Sequence, residues 1–176
     1  MSDSTPRIER LTVVDAFDVT TLTNLLATLI RADAAVGWAD PPAETEVGEL
    51  LTTLVDAGPS EAQVVVARVD ETVVGFGYWR RYTRTTLRPQ ADLERLAVAT
   101  DFSGRGIGRT ILRDLIRTAR DAGCEQLTID FRGDNQGAER LYLSEGFAEY
   151  GRLRNFVAPD ATRRFDKVFQ VLDLRA

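Results

Sequence analysis

Three glycines near the middle of the chain form the pattern most suited to binding a ligand. They lie in residues 103–109, which read SGRGIGR and separate an apolar strand-like run from a periodic helical run. Gly104, Gly106 and Gly108 let backbone N–H groups approach a ligand closely. A helix that starts near Gly106 adds unpaired N–H donors and the positive end of its dipole. The segment therefore predicts an anion site suited to a phosphate group.

Two known phosphate-binding patterns fit this segment poorly. A P-loop ends in Gly-Lys followed by Ser or Thr, but the only lysine in the chain is Lys167. A dinucleotide-binding loop has the spacing G-x-G-x-x-G and an acidic residue about 20 positions later. The spacing here is G-x-G-x-G, although Asp130 lies at a suitable distance along the chain. A dinucleotide site therefore stays open as an alternative.

Three carboxylates on the neighbouring predicted strands are candidates for acid–base chemistry. Asp92 and Glu94 precede the glycine loop and, by the two-residue period of a strand, share one face unless a bulge intervenes. Asp130 ends the next predicted strand. The chain contains no histidine, so a carboxylate, a water chain or bulk solvent must take up a released proton. A carboxylate with a pKa near ~4 needs burial or an ordered water to act as a base, and each of the three could instead hold a substrate ammonium.

The hydrophobic periodicity predicts the elements that position these residues, in the order β-α-α-β-β-β-α-β-α-β-β. The predicted strands are 8–14, 64–69, 72–81, 90–99, 126–131, 147–157 and 164–174. Asp70 and Glu71 mark a hairpin turn between the second and third strands. The predicted helices are 17–34, 44–57, one from Gly106 that stops at Gly123, and one capped by Asp134 that ends at Gly146.

The glycine loop and the segments around it resemble the GNAT acetyltransferase superfamily. Gly106 and Gly108 match the two small positions of its (Gln/Arg)-x-x-Gly-x-(Gly/Ala) loop, whereas Ser103 departs from the Gln/Arg position. Residues 135–147, with the pattern N-x-x-A-x-x-x-Y-x-x-x-G-F, resemble the second cofactor segment of that superfamily. The predicted order of elements is also that of the superfamily, so the resemblance covers nearly the whole chain.

This resemblance implies both a fold and a cofactor. The fold is α/β (α+β), a mixed and mostly antiparallel sheet flanked by helices, formed by a single domain over residues 1–176. Acetyl-CoA is the implied co-substrate, with no metal and no covalent enzyme intermediate. The implied cofactor-binding residues are Leu96, Ala97, Val98, Ser103, Gly104, Arg105, Gly106, Ile107, Gly108, Arg109 and Asn135.

The resemblance also suggests roles for catalytic residues. Tyr142 occupies the position of a tyrosine near the coenzyme sulfur, where a hydrogen bond to the departing thiolate is expected. The backbone N–H of Val98 or of its neighbours is expected to stabilise the oxyanion. Asp92, Glu94 and Asp130 are the candidates for the base or for holding the acceptor amine.

The predicted function is N-acetylation of a primary amine of a small molecule. Residues 34–38, the glycine loop and the last two strands are similar to small toxin- or antibiotic-modifying acetyltransferases, and their aromatic neighbours suggest an acceptor pocket. The aromatic residues that could line it are Trp38, Trp79, Tyr82 and Phe156. The alternatives are a protein or peptide N-acetyltransferase and a non-catalytic coenzyme A-binding module.

The composition narrows the possible partners and location. A net charge of −5 over 176 residues argues against general nucleic-acid binding, and no apolar run approaches the length of a membrane span. The single cysteine, Cys124, rules out an intrachain disulfide and favours a cytoplasmic location. Without a histidine partner Cys124 is expected to fill the core. Dimers are common in the superfamily, so a homodimer is possible.

Overall fold

The computed structural model describes residues 6–175, and residues 1–5 and 176 of the predicted domain lie outside the described part. Within residues 6–175, strands form one sheet of order β1-β2-β3-β4-β5-β7-β6. The strands are β1 (Arg7–Arg10), β2 (Ala62–Val69), β3 (Thr72–Arg81), β4 (Gln90–Val98), β5 (Gln126–Arg132), β6 (Ala148–Val157) and β7 (Phe165–Asp173). The helices are α1 (Ala16–Arg31), α2 (Glu44–Asp56), α3 (Ile107–Asp121) and α4 (Gln136–Ser144).

One parallel strand pair interrupts an otherwise antiparallel sheet. Neighbouring strands are antiparallel except β4 and β5, which α3 connects. Parallel neighbours require such a crossover connection, and here it brings the glycine loop to the end of β4. The turn between β2 and β3 has positive φ values at Asp70 (48°) and Glu71 (66°), as in a type I′ turn. The predicted hairpin and the predicted fold class are therefore confirmed.

Helices cover both faces of the sheet, and each face has its own apolar core. α1 and α2 pack on one face, and α3 packs on the other face together with the buried side of α4. α3 approaches β3 closely because Gly77 has no side chain: a Cβ there would lie 2.9 Å from Cδ1 of Leu115. Cys124 is buried in the same core, and burial raises the pKa of its thiol. None of the helices within residues 6–175 is long and apolar enough to cross a bilayer.

The predicted order of elements is confirmed, and most boundaries agree within three residues. β1 is the exception, because it ends at Arg10 rather than at Val14. The chain leaves the sheet there to begin α1, whose N-cap Asp15 accepts a hydrogen bond of 2.7 Å from the N–H of Asp18. A helix cap with an acidic side chain therefore ends the strand earlier than its apolar residues suggest.

Candidate active site

A gap opens between β4 and β5. The two strands pair only over their first three residues, the last pair being Asp92 opposite Thr128. Beyond this pair the strands separate, and a cavity of about 1000 Å³ lies between them. The cavity is lined by both strands, by α4, and by the segments that follow α1 and β6.

A bulge in β4 determines which of its side chains face the cavity. The register between β3 and β4 shifts by one residue between Tyr78 and Trp79, which leaves Glu94 as an additional residue in β4. Asp92, Glu94 and Arg95 all line the cavity. Strict alternation would have placed Arg95 on the opposite face.

Asp92 lies where the two strands separate and is partly buried. Its Oδ1 accepts a hydrogen bond of 2.6 Å from Oγ1 of Thr128, which lies 2.8 Å from Oη of Tyr82. The pKa of Asp92 is raised from 3.8 to about 6, chiefly by burial and also by the negative charges of Glu94 and Asp130. The Thr128 hydrogen bond opposes this shift. Such a carboxyl is mostly ionised at neutral pH yet is a better proton acceptor than an ordinary aspartate.

The other two candidate carboxylates have cationic partners. Glu94 accepts a hydrogen bond of 2.9 Å from Oη of Tyr78 and also forms an ion pair with Arg80. Asp130 lies 3.1 Å from Nζ of Lys167. Within residues 6–175, Asp92 is thus the one of the three carboxylates that forms no ion pair.

Tyr142 of α4 also lines the cavity. Its ring packs against Phe131 and Phe147, with centroid distances of 5.5 and 5.6 Å. Burial, together with the negative charge of Asp130, raises the pKa of the Tyr142 hydroxyl well above its ordinary value of 10. The phenol therefore remains protonated across the physiological range, where it can donate a hydrogen bond but yields its proton poorly.

β4 presents an unpaired backbone edge to the gap. The N–H of Ala99 donates a hydrogen bond of 2.7 Å to the carbonyl of Val74 on β3. Because N–H groups alternate sides along a strand, those of Leu96 and Val98 point away from β3 and toward the gap. β5 pairs with β4 only as far as Asp92. These N–H groups are therefore available to a ligand that lies along β4.

The glycine loop ends at an open helix start. A short 3₁₀ turn (Thr100–Phe102) follows β4, and Gly106 is the N-cap of α3. Gly104 and Gly106 have φ values of 75° and 82°, and a Cβ at either position would meet no atom within 4 Å. Gly106 has no side chain to cap the helix, so the first N–H groups of α3 remain available. Positive φ values, open space and free donors together fit a phosphate group.

Two arginines flank this helix start. The guanidinium of Arg105 lies over the ring of Phe102, 5.1 Å from its centroid, and forms no ion pair within the described residues. Arg109 lies 3.3 Å from a carboxylate oxygen of Glu145. Of the two, Arg105 is therefore the arginine that has no carboxylate partner within the described residues.

Ser103 and Asn135, both predicted to contact the cofactor, have local hydrogen bonds. Oγ of Ser103 donates to the carbonyl of Ala99 at 3.3 Å. Oδ1 of Asn135 accepts from the N–H of Ala138 at 3.1 Å and thereby caps α4. The prediction of Asp134 as this cap is wrong, because the helix begins one residue later than the sequence suggests.

Four aromatic residues are predicted as candidates to line an acceptor pocket, and two of them, Trp38 and Phe156, line this cavity. Trp79 is fully buried on the opposite face of the sheet, where its indole N–H donates to Oγ1 of Thr118 on α3 at 2.9 Å. Tyr82 is not among the residues that line the cavity. Trp79 and Tyr82 therefore do not line this cavity, and Trp79 faces away because it alternates with its neighbours Tyr78 and Arg80 along β3.

An ion pair that the sequence did not predict joins two of the segments that line the cavity. Arg163, in the segment before β7, donates hydrogen bonds of 2.6 and 3.1 Å to the carboxylate of Asp33, in the segment after α1. Both residues line the cavity. No local pattern relates residues so far apart in the chain, so sequence reasoning had no signal for this contact.

Comparison with known proteins gives the family by sequence and the same fold by structure. The sequence profile of the acetyltransferase (GNAT) family matches residues 25–147. Aminoglycoside N(6′)-acetyltransferase type 1 from Stenotrophomonas maltophilia is 32% identical over 138 residues, which are 73% of this chain and 88% of that relative. The crystal structure of a ribosomal-protein-alanine N-acetyltransferase from Brucella melitensis matches with a TM-score of 0.82 at 23% identity, over 94% of this chain and 99% of that chain. The structure of a phosphinothricin acetyltransferase from Sinorhizobium meliloti in complex with acetyl-CoA also matches. Its TM-score is 0.81 at 21% identity, and the match covers 94% of this chain and 88% of that chain.

The chain therefore belongs to the GNAT acetyltransferase family and is an acetyl-CoA-dependent N-acetyltransferase. The dinucleotide alternative is wrong, because a dinucleotide fold needs a parallel sheet and this sheet has a single parallel pair within residues 6–175. Because the family and the aminoglycoside relative are named as acetyltransferases, the alternative of a non-catalytic coenzyme A-binding module is not supported. The three relatives are named for three different acceptors, so membership of the family does not define the acceptor of this chain.

Proposed function

We propose that this protein transfers the acetyl group of acetyl-CoA to the primary amine of a small molecule, by direct attack in a ternary complex. The observation that carries the proposal is the concave cavity of about 1000 Å³ between β4 and β5, a volume typical of a small-molecule site. The Arg163–Asp33 ion pair joins the two segments that border it. A peptide acceptor would need an open groove at this position, whereas small-molecule sites are typically concave and enclosed.

Asp92 is the proposed proton acceptor. A primary amine is protonated at neutral pH and must lose a proton before it can attack a carbonyl carbon. Asp92 has a pKa raised to about 6 and no ion pair within the described residues, and Thr128 fixes its Oδ1. Glu94 and Asp130 add negative charge around it, which favours the approach of an ammonium group.

Val98 and Tyr142 are proposed to stabilise the charges that develop during the transfer. Acetyl-CoA supplies an acetyl group activated as a thioester. The N–H of Val98, which points into the gap, is placed to donate to the carbonyl oxygen as it becomes negative. Tyr142 donates a hydrogen bond to the sulfur on the opposite side. Because burial raises the pKa of Tyr142, stabilisation by a hydrogen bond is favoured over full proton transfer.

The cofactor is proposed to lie along the edge of β4 and to end at α3. The backbone of Leu96–Val98 offers unpaired polar groups to the extended, amide-containing arm of the cofactor. The arm would form hydrogen bonds with β4 in the way that an additional strand does. The loop from Gly104 to Arg109 offers the free N–H groups of the helix start to the pyrophosphate. Arg105 has no carboxylate partner in the described chain, so its charge is available to a phosphate.

The test is acetyl-CoA-dependent thiol release with a panel of acceptors at equal concentration. The panel contains amino acids, ω-amino acids, polyamines, aminoglycosides and short peptides with free N-termini. We expect turnover with at least one class of small amine and a much lower kcat/KM for every peptide. Turnover with peptides alone would replace this proposal by protein N-acetylation.

A further inference from the structure

Most charged side chains that line the cavity are already paired with each other. Four of the cations are in ion pairs with carboxylates. These pairs are Arg80 with Glu94, Lys167 with Asp130, Arg132 with Asp33 and Asp134, and Arg163 with Asp33 and Asp160. Within the described residues, the lining side chains without an ion pair are Asp92, Arg95 and the exposed Arg31 at the end of α1. One acidic group and one basic group therefore remain unbalanced on the same strand.

Arg95 is held at the wall of the cavity without a carboxylate. Its guanidinium lies over the ring of Trp38, 4.7 Å from the centroid, and Nη1 donates to the carbonyl of Glu94 at 2.9 Å. Its Nε is buried and has no hydrogen-bond acceptor. A partly buried guanidinium is normally paired, since an unbalanced charge away from water is unfavourable. A missing anion would account for this arrangement.

The loop after α1 is shaped around this guanidinium. Gly37 has a φ of 90°, which favours glycine, and a Cβ there would lie 2.4 Å from Cζ of Arg95, so a larger residue would displace the guanidinium from its present position. The neighbouring Trp38 is fixed in turn, because its indole N–H donates to Glu46 of α2 at 2.5 Å. A fixed cation stacked on an aromatic ring is suited to recognising a planar anion such as a carboxylate.

The anion that fits Arg95 belongs to the acceptor rather than to the cofactor. The free N–H groups that suit phosphates lie at Gly104–Arg109, beyond the end of β4. Arg95 lies three residues before Val98, alongside the part of the strand where the uncharged arm of the cofactor is expected. Asp92 lies three residues earlier on the same strand, and its side chain also lines the cavity. The two unbalanced groups therefore face one molecule from two points of the same cavity.

We propose that the acceptor is an amino-acid-like molecule whose amine is received at Asp92 and whose carboxylate is received by Arg95. This inference rests on the proposed function, because it assumes that a small amine enters the cavity. It favours a molecule that carries both charges over a polycation, which Arg95 would repel, and over a protein N-terminus, which has no adjacent free carboxylate.

A series of ω-amino acids tests the inference. Thiol release is measured for chain lengths from two to six carbons, each as the free carboxylate and as the carboxamide, so that the longer members keep nearly the same amine pKa. We expect the carboxylate to be preferred over the carboxamide by about 10- to 100-fold in kcat/KM, with an optimum at one chain length. Arg95→Gln should remove this preference by raising KM for the carboxylate while it leaves the carboxamide little changed.

Two further variants make the result specific. Arg95→Lys keeps the charge but loses the planar donor group, and it should retain part of the preference. Arg84→Gln removes an exposed arginine outside the cavity and should keep the full preference. Equal turnover of carboxylate and carboxamide by the wild-type protein, or an unchanged preference in Arg95→Gln, would overturn the inference alone. No turnover of any small amine would overturn the proposed function and this inference with it.

Discussion

At the scale of single residues, chemistry in the cavity depends on which carboxylate is left without a partner. Glu94 and Asp130 are paired with Arg80 and Lys167, whereas Asp92 forms no ion pair within the described residues. The sequence offered all three as candidates and favoured Asp92 and Glu94, since a strand pattern indicates which face a side chain is on but not which residues form ion pairs. Burial of Asp92 and its position beside two other carboxylates raise its pKa to about 6.

Replacing Asp92 by Asn should lower activity and raise stability. The folded-state pKa of about 6 exceeds the ordinary 3.8, so the folded chain holds this proton more tightly than the unfolded chain. The stability from this site is present below pH ~4 and is lost as pH rises to about 6. Ionised Asp92 therefore costs on the order of 1–3 kcal/mol at pH 7, a cost that Asn removes.

Thermal unfolding at pH 7 and initial rates of thiol release measure these two effects. We expect kcat/KM of Asp92→Asn to fall by about 10²- to 10⁴-fold while the melting temperature rises. Glu49→Gln, an exposed carboxylate on α2, is the control and should change neither quantity. An Asn variant that is both active and less stable would contradict the assignment.

Tyr142→Phe should lower kcat with little effect on acetyl-CoA binding or on folding. The ring packs between Phe131 and Phe147, and phenylalanine keeps those contacts. Only the hydroxyl is lost, for which a fall in kcat of about 10- to 100-fold is expected. Calorimetric titration with acetyl-CoA supplies the binding control. A fall in acetyl-CoA affinity that matches the fall in kcat would indicate a binding role instead.

At the scale of elements, the site depends on how α3 and β4 fit together. The bulge in β4 lets both Glu94 and Arg95 line the cavity. On β3, Gly75 and Gly77 let α3 lie close to the sheet. The order of the elements followed from hydrophobic periodicity and from turn residues. The bulge could not be predicted in this way, because an additional residue in one strand is defined only by how that strand pairs with the adjacent strand.

Gly77→Ala should destabilise the fold. A Cβ at this position would lie 2.9 Å from the carbonyl oxygen of Arg95 and from Cδ1 of Leu115. We expect a loss of about 1–3 kcal/mol in the free energy of unfolding, measured by chemical denaturation. Gly48→Ala in α2 is the control, because its Cβ would make ordinary contacts at 3.7 Å with Val19 and helix propensity favours alanine. Equal stability of the two variants would show that β3 and α3 can separate without cost.

At the scale of the whole molecule, segments distant in sequence line the cavity. The chain between β6 and β7 meets the chain between α1 and α2 through Arg163 and Asp33. The resemblance of the sequence to the GNAT superfamily predicted the sheet, the cofactor loop and Tyr142. It could not predict this ion pair or the stacking of Arg95 on Trp38, because both depend on the positions of loops in space.

Arg163→Gln should broaden the range of acceptors. Loss of the Arg163–Asp33 ion pair removes a contact between the two segments that line the cavity. The free energy of unfolding should change little, because an exposed ion pair contributes about 0–1 kcal/mol. We expect KM for a small amine to rise several-fold and short peptides to become measurable acceptors in thiol release. Arg154→Gln, an exposed arginine on β6, is the control. An unchanged KM for the small amine, together with no measurable turnover of short peptides, would show that this ion pair does not define the acceptor site.

The most direct test of the central claim is the pH dependence of kcat/KM with acetyl-CoA and the best small amine. If Asp92 takes the proton from a bound ammonium, kcat/KM should rise with a midpoint near pH 6 and then stay level up to the pKa of the acceptor amine itself. A tenfold rise per pH unit that continues to the amine's own pKa would contradict the claim. The reactive species would then be free amine already deprotonated in solution, and Asp92 would not be the base.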